Sequence, residues 1–123
     1  MNIVDFLLKN FDKTKTALIS GNRSISYNSL CNNVIHFSEC INSESDVVVV
    51  YMANSIEFII AYFAVLLAGK KVLLVNPMYP ETEVKKYLDL VQSDLLVTNI
   101  DSALLRENSQ ILCPSIIDTI TIS

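Results

Sequence analysis

Few residues of this chain are of types that do chemistry, and their spacing rules out most of the reactions that use them. His36 is the single histidine among 123 residues, so a histidine-rich metal site cannot be built. It falls beside Asn32, Asn33 and Glu39 on the polar side of an expected helix, where an imidazole is solvated rather than catalytic. Glu81 and Glu83 form a carboxylate pair, but they open another expected helix, and the macrodipole there favours negative charge without any acid-base role. Gly21 and Gly69 are the only glycines, so neither G-x-x-x-x-G-K-[ST], nor G-x-G-x-x-G, nor the esterase elbow G-x-S-x-G can be written on the chain. Gly69-Lys70-Lys71 superficially resembles a phosphate loop, yet it leads from a helix into a strand, the reverse of the order such a loop needs. Cys31, Cys40 and Cys113 are odd in number and lack a Cys-x-x-Cys pair, which argues against a disulfide framework and against zinc. They are expected to be reduced thiols in or near the core. No catalytic, cofactor-binding or metal-ligating residue is therefore assigned.

The elements that would carry a site can be read from periodicity. Residues 2–10 place Ile3, Phe6 and Leu7 on one helical face, and a polar loop follows at 12–15. Segments 16–20 and 23–27 flank Gly21-Asn22, the signal of a hairpin with a primed turn. From Asn28 a helical stripe runs through Leu30, Val34, Phe37 and Ile41, leaving Asn32, Asn33, His36 and Glu39 off it. Residues 47–52 are a β-branched run of the kind found in a central strand covered on both faces. Asn54 and Glu57 have the spacing of a capping box, opening a helix apolar nearly all round that stops at Gly69 and is expected to be buried on most sides.

Val72-Leu73-Leu74-Val75 reads as a second buried strand, closed by Asn76-Pro77. Val84, Tyr87, Leu88 and Val91 mark a helix with Lys85, Lys86 and Asp89 outside, and Leu95-Leu96-Val97 a third strand. Alternating strands and helices imply successive βαβ units, hence an α/β domain with a mostly parallel sheet, preceded by an N-terminal helix and a hairpin. A short helix at 103–106 and a fourth strand at 110–113 are weaker signals. Residues 116–122 alternate without an evident partner, and the tail from about 114 to 123 is expected to stand apart from the single domain 1–123.

Bulk properties narrow the function further. Apolar residues make up 51% and charged residues 18%, which excludes disorder. The longest apolar stretch, 58–68, is too short against the roughly 20 residues a transmembrane helix needs. The first eleven residues lack the pattern of a secretory signal, so the expected location is cytoplasmic. A net charge of −4 with scattered basic residues disfavours nucleic acid as a partner.

Three stretches in sequence order resemble the adenylate-forming (AMP-binding) superfamily of acyl-CoA synthetases, luciferases and peptide-synthetase adenylation domains. Residues 17–30, ending in Ser26-Tyr27-Asn28-Ser29-Leu30, are similar to the family's early Thr/Ser-Tyr-x-x-Leu motif, with Ser29 where Glu is common. Residues 48–68, centred on Asn54-Ser55-Ile56-Glu57-Phe58, resemble its strand, Asn-Ser turn and helix. Residues 67–77 resemble the Ala-Gly, strand and Asn-Pro element, and Asn76 before Pro77 looks more like acyl-CoA synthetases, enzymes of fatty acid metabolism, than like peptide-synthetase domains.

The resemblance implies a ligase that uses ATP and magnesium to make an acyl-adenylate, then passes the acyl group to a thiol. The family's phosphate loop, ribose-binding Asp and C-terminal Lys lie beyond the matched region, so the chain is expected to be an N-terminal fragment, inactive alone and holding no cofactor itself. Its expected partners are the remainder of the ligase, or another copy joined through exposed apolar surface such as the 116–122 tail. The rival readings are a stand-alone α/β binding or assembly module, and a flavodoxin-like domain. The second would want acidic residues at strand ends, where Met52-Ala53 and Asn76-Pro77 stand instead.

Overall fold

The run Val47-Val48-Val49-Val50-Tyr51 forms the strand around which the rest is arranged, because β-branched side chains on both faces require cover on both. The computed structural model describes residues 2–12, 14–107 and 109–116, together with the backbone of 121–122. In chain order its elements are α1 (Ile3–Asn10), β1 (Thr16–Ser20), β2 (Arg23–Ser26), α2 (Tyr27–Cys40), β3 (Val47–Tyr51) and α3 (Ile56–Leu67). There follow β4 (Lys71–Leu74), α4 (Glu81–Leu90), β5 (Leu95–Thr98), α5 (Ala103–Arg106), β6 (Gln110–Leu112) and β7 (Thr121–Ile122). The strands β4-β3-β5-β6 form a parallel sheet in that spatial order, with Val50 opposite Leu74 on one side and Val97 on the other. The expected α/β architecture is present.

Two apolar clusters cover the two faces of this sheet. Val48 and Val50 of β3 and Leu95 and Val97 of β5 meet Leu30, Val34 and Phe37 of α2 and Ile56, Ile60, Ala64 and Val65 of α3. The alternate residues Val49, Tyr51 and Leu96 meet Val84 and Leu88 of α4 and Leu105 of α5 on the opposite face. The period of two along each strand is what sorts these side chains between the layers. Each fully buried Val, Leu or Ile contributes about 1.5–3 kcal/mol relative to exposure.

Local signals account for most boundaries. Asn2 caps α1 by accepting the Asp5 amide at 2.8 Å. Gly21 adopts φ +61° in the β1–β2 turn, the conformation that a primed hairpin turn needs. Gly69 adopts φ +79° just past α3, the left-handed stop expected of it. Tyr27 belongs to α2 rather than to β2, since Ser26 accepts the Ser29 amide and starts the helix there.

Several expectations are corrected. Asn33 is buried, its Nδ2 donating to Ser29 O at 2.8 Å, so a polar residue occupies a position packed against the core. Of the cysteines only Cys31 is buried, where burial pushes its thiol pKa up, whereas Cys40 and Cys113 are exposed. Helix α3 is not buried on most sides, because Phe58, Ile59, Tyr62 and Phe63 are half-exposed and Leu66 is 42% exposed. Strand β4 is an edge strand with Lys71 and Leu74 exposed, since β5 crosses over to the other side of β3.

The chain end also finds a partner that the sequence did not reveal. Backbone 121–122 pairs antiparallel with β2, placing Ile122 opposite Arg23, and makes a second sheet of order β1-β2-β7. Residues 117–120, and the side chains of 121–122, lie outside the described residues.

Candidate functional site

In an open parallel sheet, ligands bind beyond the carboxyl ends of the strands where the strand order reverses. Here that point lies between β3 and β5: the chain leaves β3 toward β4, and leaves β5 toward β6 on the other side. The residues there are Met52, Ala53, Asn54 and Ser55 after β3, and Asn99, Ile100 and Asp101 after β5. They are small, polar or apolar, and apart from Asp101, which pairs with Arg106 at 2.8 Å, none is charged.

The helix that starts at this rim is capped differently from the sequence expectation. Ser55, not Asn54, is the N-cap of α3, accepting the Phe58 amide at 3.1 Å. Glu57 does not close a capping box; it turns outward to a two-pronged ion pair with Arg23 of β2, Nη1 donating to Oε2 at 3.3 Å and Nη2 to Oε1. Partial burial pushes the Glu57 carboxyl up, but the hydrogen bonds and charge of Arg23 outweigh this and hold it below the ordinary glutamate range. The pair ties the hairpin to the start of α3.

Because its folded pKa is depressed, Glu57 adds stability that is fully present above the unfolded value of about 4.3 and is lost as pH falls through the folded value. Solvent reaches both side chains, so the contribution is at most about 1 kcal/mol. Glu57→Gln is expected to flatten that part of the stability-pH curve below about pH 5 while leaving stability at pH 9 lower by no more than this amount. Urea unfolding at several pH values checks it, and an unchanged acid limb would contradict the pairing.

Beyond β4, the loop 75–80 is held by the Tyr51 hydroxyl, which donates to Tyr79 O. Tyr79 and Tyr87 stack with ring centroids 6.4 Å apart. Glu81 and Glu83 stand in the first turn of α4, as expected for a helix start, and Glu83 pairs with Lys86 at 3.1 Å. Glu81 Oε1 is buried and has no hydrogen-bond partner among the described residues. His36 is exposed on α2, three residues before the likewise exposed Glu39.

At the opposite, amino-terminal end of the sheet, Asp94 accepts from the Ser43 and Ser45 hydroxyls, the latter at 2.7 Å. These two hydrogen bonds hold its carboxyl below the usual aspartate range. Lys70 Nζ donates to Ser43 O at 2.7 Å. Lys70 of the Gly69-Lys70-Lys71 segment is thus used to fasten the loop before β3, not to meet phosphate. This cluster joins the starts of β3, β4 and β5, and it is a structural cross-link that no periodicity could announce.

Two hollows lie near the carboxyl rim. One of about 180 Å³ is bounded by Leu18, Ile19 and Ser20 of β1 and by Asn54, Ser55, Ile56 and Ile59 of the α3 start. The other, about 140 Å³, is bounded by Thr98, Asn99, Ile100, Asp101, Arg106, Ile111 and Cys113. Both fall below the roughly 300–1,000 Å³ of small-molecule sites, so neither encloses a nucleotide. Among the described residues no three His, Cys, Asp or Glu converge to hold a metal ion, and none of the helices is long and apolar enough to cross a membrane.

The elements define an open α/β domain built on a four-stranded parallel sheet, with an antiparallel hairpin beside it. The chain belongs to the AMP-binding enzyme family, whose model matches residues 9–122. Among solved structures it is similar to the Klebsiella oxytoca NpsA N-terminal subdomain, at 18% identity and TM-score 0.76, over 98% of this chain and 34% of that one. It is also similar to O-succinylbenzoate Coenzyme A Synthetase (MenE) from Bacillus subtilis in complex with AMP, at 18% identity and TM-score 0.79, over 91% of this chain and 31% of that one. A third is the same Bacillus subtilis enzyme in complex with ATP and magnesium ion, at 16% identity and TM-score 0.79, over 98% of this chain and 36% of that one. No curated protein sequence matches the chain.

The chain therefore spans about a third of the length of the solved structures it matches.

Proposed function

We propose that this chain is the N-terminal framework of an AMP-dependent carboxylate-activating ligase of the acyl-CoA synthetase type, and that it is not catalytic by itself. In that reaction a carboxylate oxygen attacks the α-phosphorus of ATP, pyrophosphate leaves, and a thiol then displaces AMP to give a thioester. The observation that carries the reading is the family match along residues 9–122 of a chain that covers only about a third of the matched structures. The lack of a glycine-rich phosphate loop supports it, since Gly21 and Gly69 are both used as backbone turns with positive φ. The setting that suits it is the cytosol, where exposed thiols such as Cys40 and Cys113 stay reduced.

The purified chain, given ATP, magnesium and a panel of carboxylic acids, is expected to show no acid-dependent exchange of labelled pyrophosphate into ATP above a protein-free blank. Exchange that rises with added acid, and that survives repurification, would overturn the proposal.

A further inference from the structure

Helix α1 turns its inner face to the core: Val4 is buried, and Ile3 and Leu7 pack against the cluster that α2 and α3 share. Phe6, two positions on from Val4, falls on the outer side and is 46% exposed, and Phe11 just past the helix is 43% exposed. Their rings meet edge to face with centroids 6.3 Å apart. Phe11 also lies flat on Tyr27, the first residue of α2, at 4.8 Å and an interplanar angle of 5°. The three rings form one continuous patch. Backbone hydrogen bonds hold it at both ends, from the Phe11 amide to Leu7 O at 3.2 Å and from the Tyr27 amide to Lys15 O at 3.0 Å.

The same segment gathers positive charge in a chain that is otherwise acidic. Lys9, Lys13 and Lys15 are three of the seven lysines of the chain, within seven consecutive residues whose one acid is Asp12. Residues 16–123 carry six basic and eleven acidic residues. Lys9 follows Phe6 by three positions, the spacing of neighbours on a helix, and Lys15 stands at the Tyr27 end; both are exposed. Among the described residues neither makes an ion pair. Asp12 is drawn into its own turn, where its carboxylate accepts from the Thr14 amide at 3.0 Å and hydroxyl at 2.8 Å. Asp5 is spent on the first turn of α1, where the helix dipole favours it.

We infer that this patch docks the chain on an anionic lipid surface: Phe6 and Phe11 enter the boundary between headgroups and acyl chains, and Lys9 and Lys15 meet the headgroup phosphates. Exposed apolar surface with lysines at its margin suits such an interface, where one layer is oily and the next negatively charged. The chain lies on the membrane and does not cross it, since none of the described helices is long and apolar enough to span one. Its net charge of −4 does not oppose this, because salt screens charges farther off than about 8 Å and the lysines at the contact decide. Nucleic acid would want a broader basic face than these lysines provide. The cytosolic setting proposed above supports a lipid partner, since the cytoplasmic leaflet carries the negative surface potential. The inference stands apart from the ligase reading.

The test mixes the purified chain with sucrose-loaded vesicles, of phosphatidylcholine alone or with phosphatidylglycerol added, and reads the bound fraction by sedimentation. Affinity for the anionic vesicles is expected to exceed that for the neutral ones by about tenfold and to fall as salt is raised. Lys9→Gln combined with Lys15→Gln should weaken it by about tenfold, since each lysine near an anionic surface adds to the attraction. Phe6→Ser should weaken it by a similar factor of about ten, through lost apolar burial. These side chains are exposed, so the variants keep the wild-type circular-dichroism spectrum; the lysine pair decides should Phe6→Ser lose it.

Absence of binding to the anionic vesicles overturns the inference, and so does equal binding to both kinds or binding that the lysine variant leaves unchanged. A dimer that Phe6→Ser dissolves, with vesicles unbound, assigns the patch to a second copy and overturns it. Capture of a single-stranded oligonucleotide in place of vesicles, lost in the lysine variant, assigns it to nucleic acid and overturns it too. None of these results bears on pyrophosphate exchange, so the ligase reading stands or falls separately.

Discussion

Ile60→Ala is expected to destabilise the fold by about 2–5 kcal/mol, the range for truncating a buried isoleucine to alanine. Ile60 is 1% exposed and sits in the cluster where α3 meets α2 and the β3–β5 pair. Removing its three outer carbons takes away apolar burial and leaves a cavity. The walls cannot collapse into it easily, because Val48, Val50 and Val65 around it are themselves stiff and buried. A domain of this size holds only about 5–15 kcal/mol in total, so the midpoint of urea unfolding should fall sharply with an unchanged slope. Ile60→Val, which removes a single methyl, is the graded control at about 0.5–1.5 kcal/mol. If both variants unfold at the wild-type midpoint, α3 is not packed as described.

Tyr51 tests the other face of the sheet. Its ring is 4% exposed in the cluster with Val84 and Leu88, and its hydroxyl donates to Tyr79 O, anchoring the loop that delivers the chain to α4. Tyr51→Ala is expected to lower stability by about 3–5 kcal/mol, as for other buried aromatic truncations. Tyr51→Phe keeps the packing and loses the hydroxyl, for about 0.5–1.5 kcal/mol. The two variants separate burial from hydrogen bonding: equal losses would mean that the hydroxyl, not the ring, dominates, against the geometry. Limited proteolysis within 75–80 should rise in Tyr51→Phe, because the carbonyl of Tyr79 then has no donor from β3.

These two faces were legible in the sequence to different depths. The unbroken β-branched run along 47–51 announced a strand covered on both sides, and the stripe Val84, Tyr87, Leu88 and Val91 announced the helix that covers one of them. The ambiguous features were those with two local solutions. Asn54 and Ser55 are both good cap residues, and the choice of Ser55 became definite only with Glu57 drawn to Arg23, 34 positions earlier. Asn33 looked solvated because it is polar, but its amide satisfies Ser29 O inside α2, which removes the cost of burying it.

The candidate site shows the same division. The missing phosphate loop could be deduced by counting glycines, because a loop that must bring backbone close to phosphate cannot be made without them. The binding of Lys70 to Ser43 O and the Asp94 cluster could not, because each joins residues brought together only when β3, β4 and β5 line up.

Taken alone, the order of residues determined where the chain turns, which segments are helix or strand, and which nucleotide-gripping motifs it cannot form. Those properties depend on neighbours within a turn or two, where backbone preference and periodic burial act directly. Tertiary structure alone decided that β4 lies at an edge, that backbone 121–122 pairs with β2, and that one flank of α3 is left open. Strand order and the cover of a helix arise from pairings between distant segments, and a strand's own composition reads much the same whether one neighbour or two lies beside it.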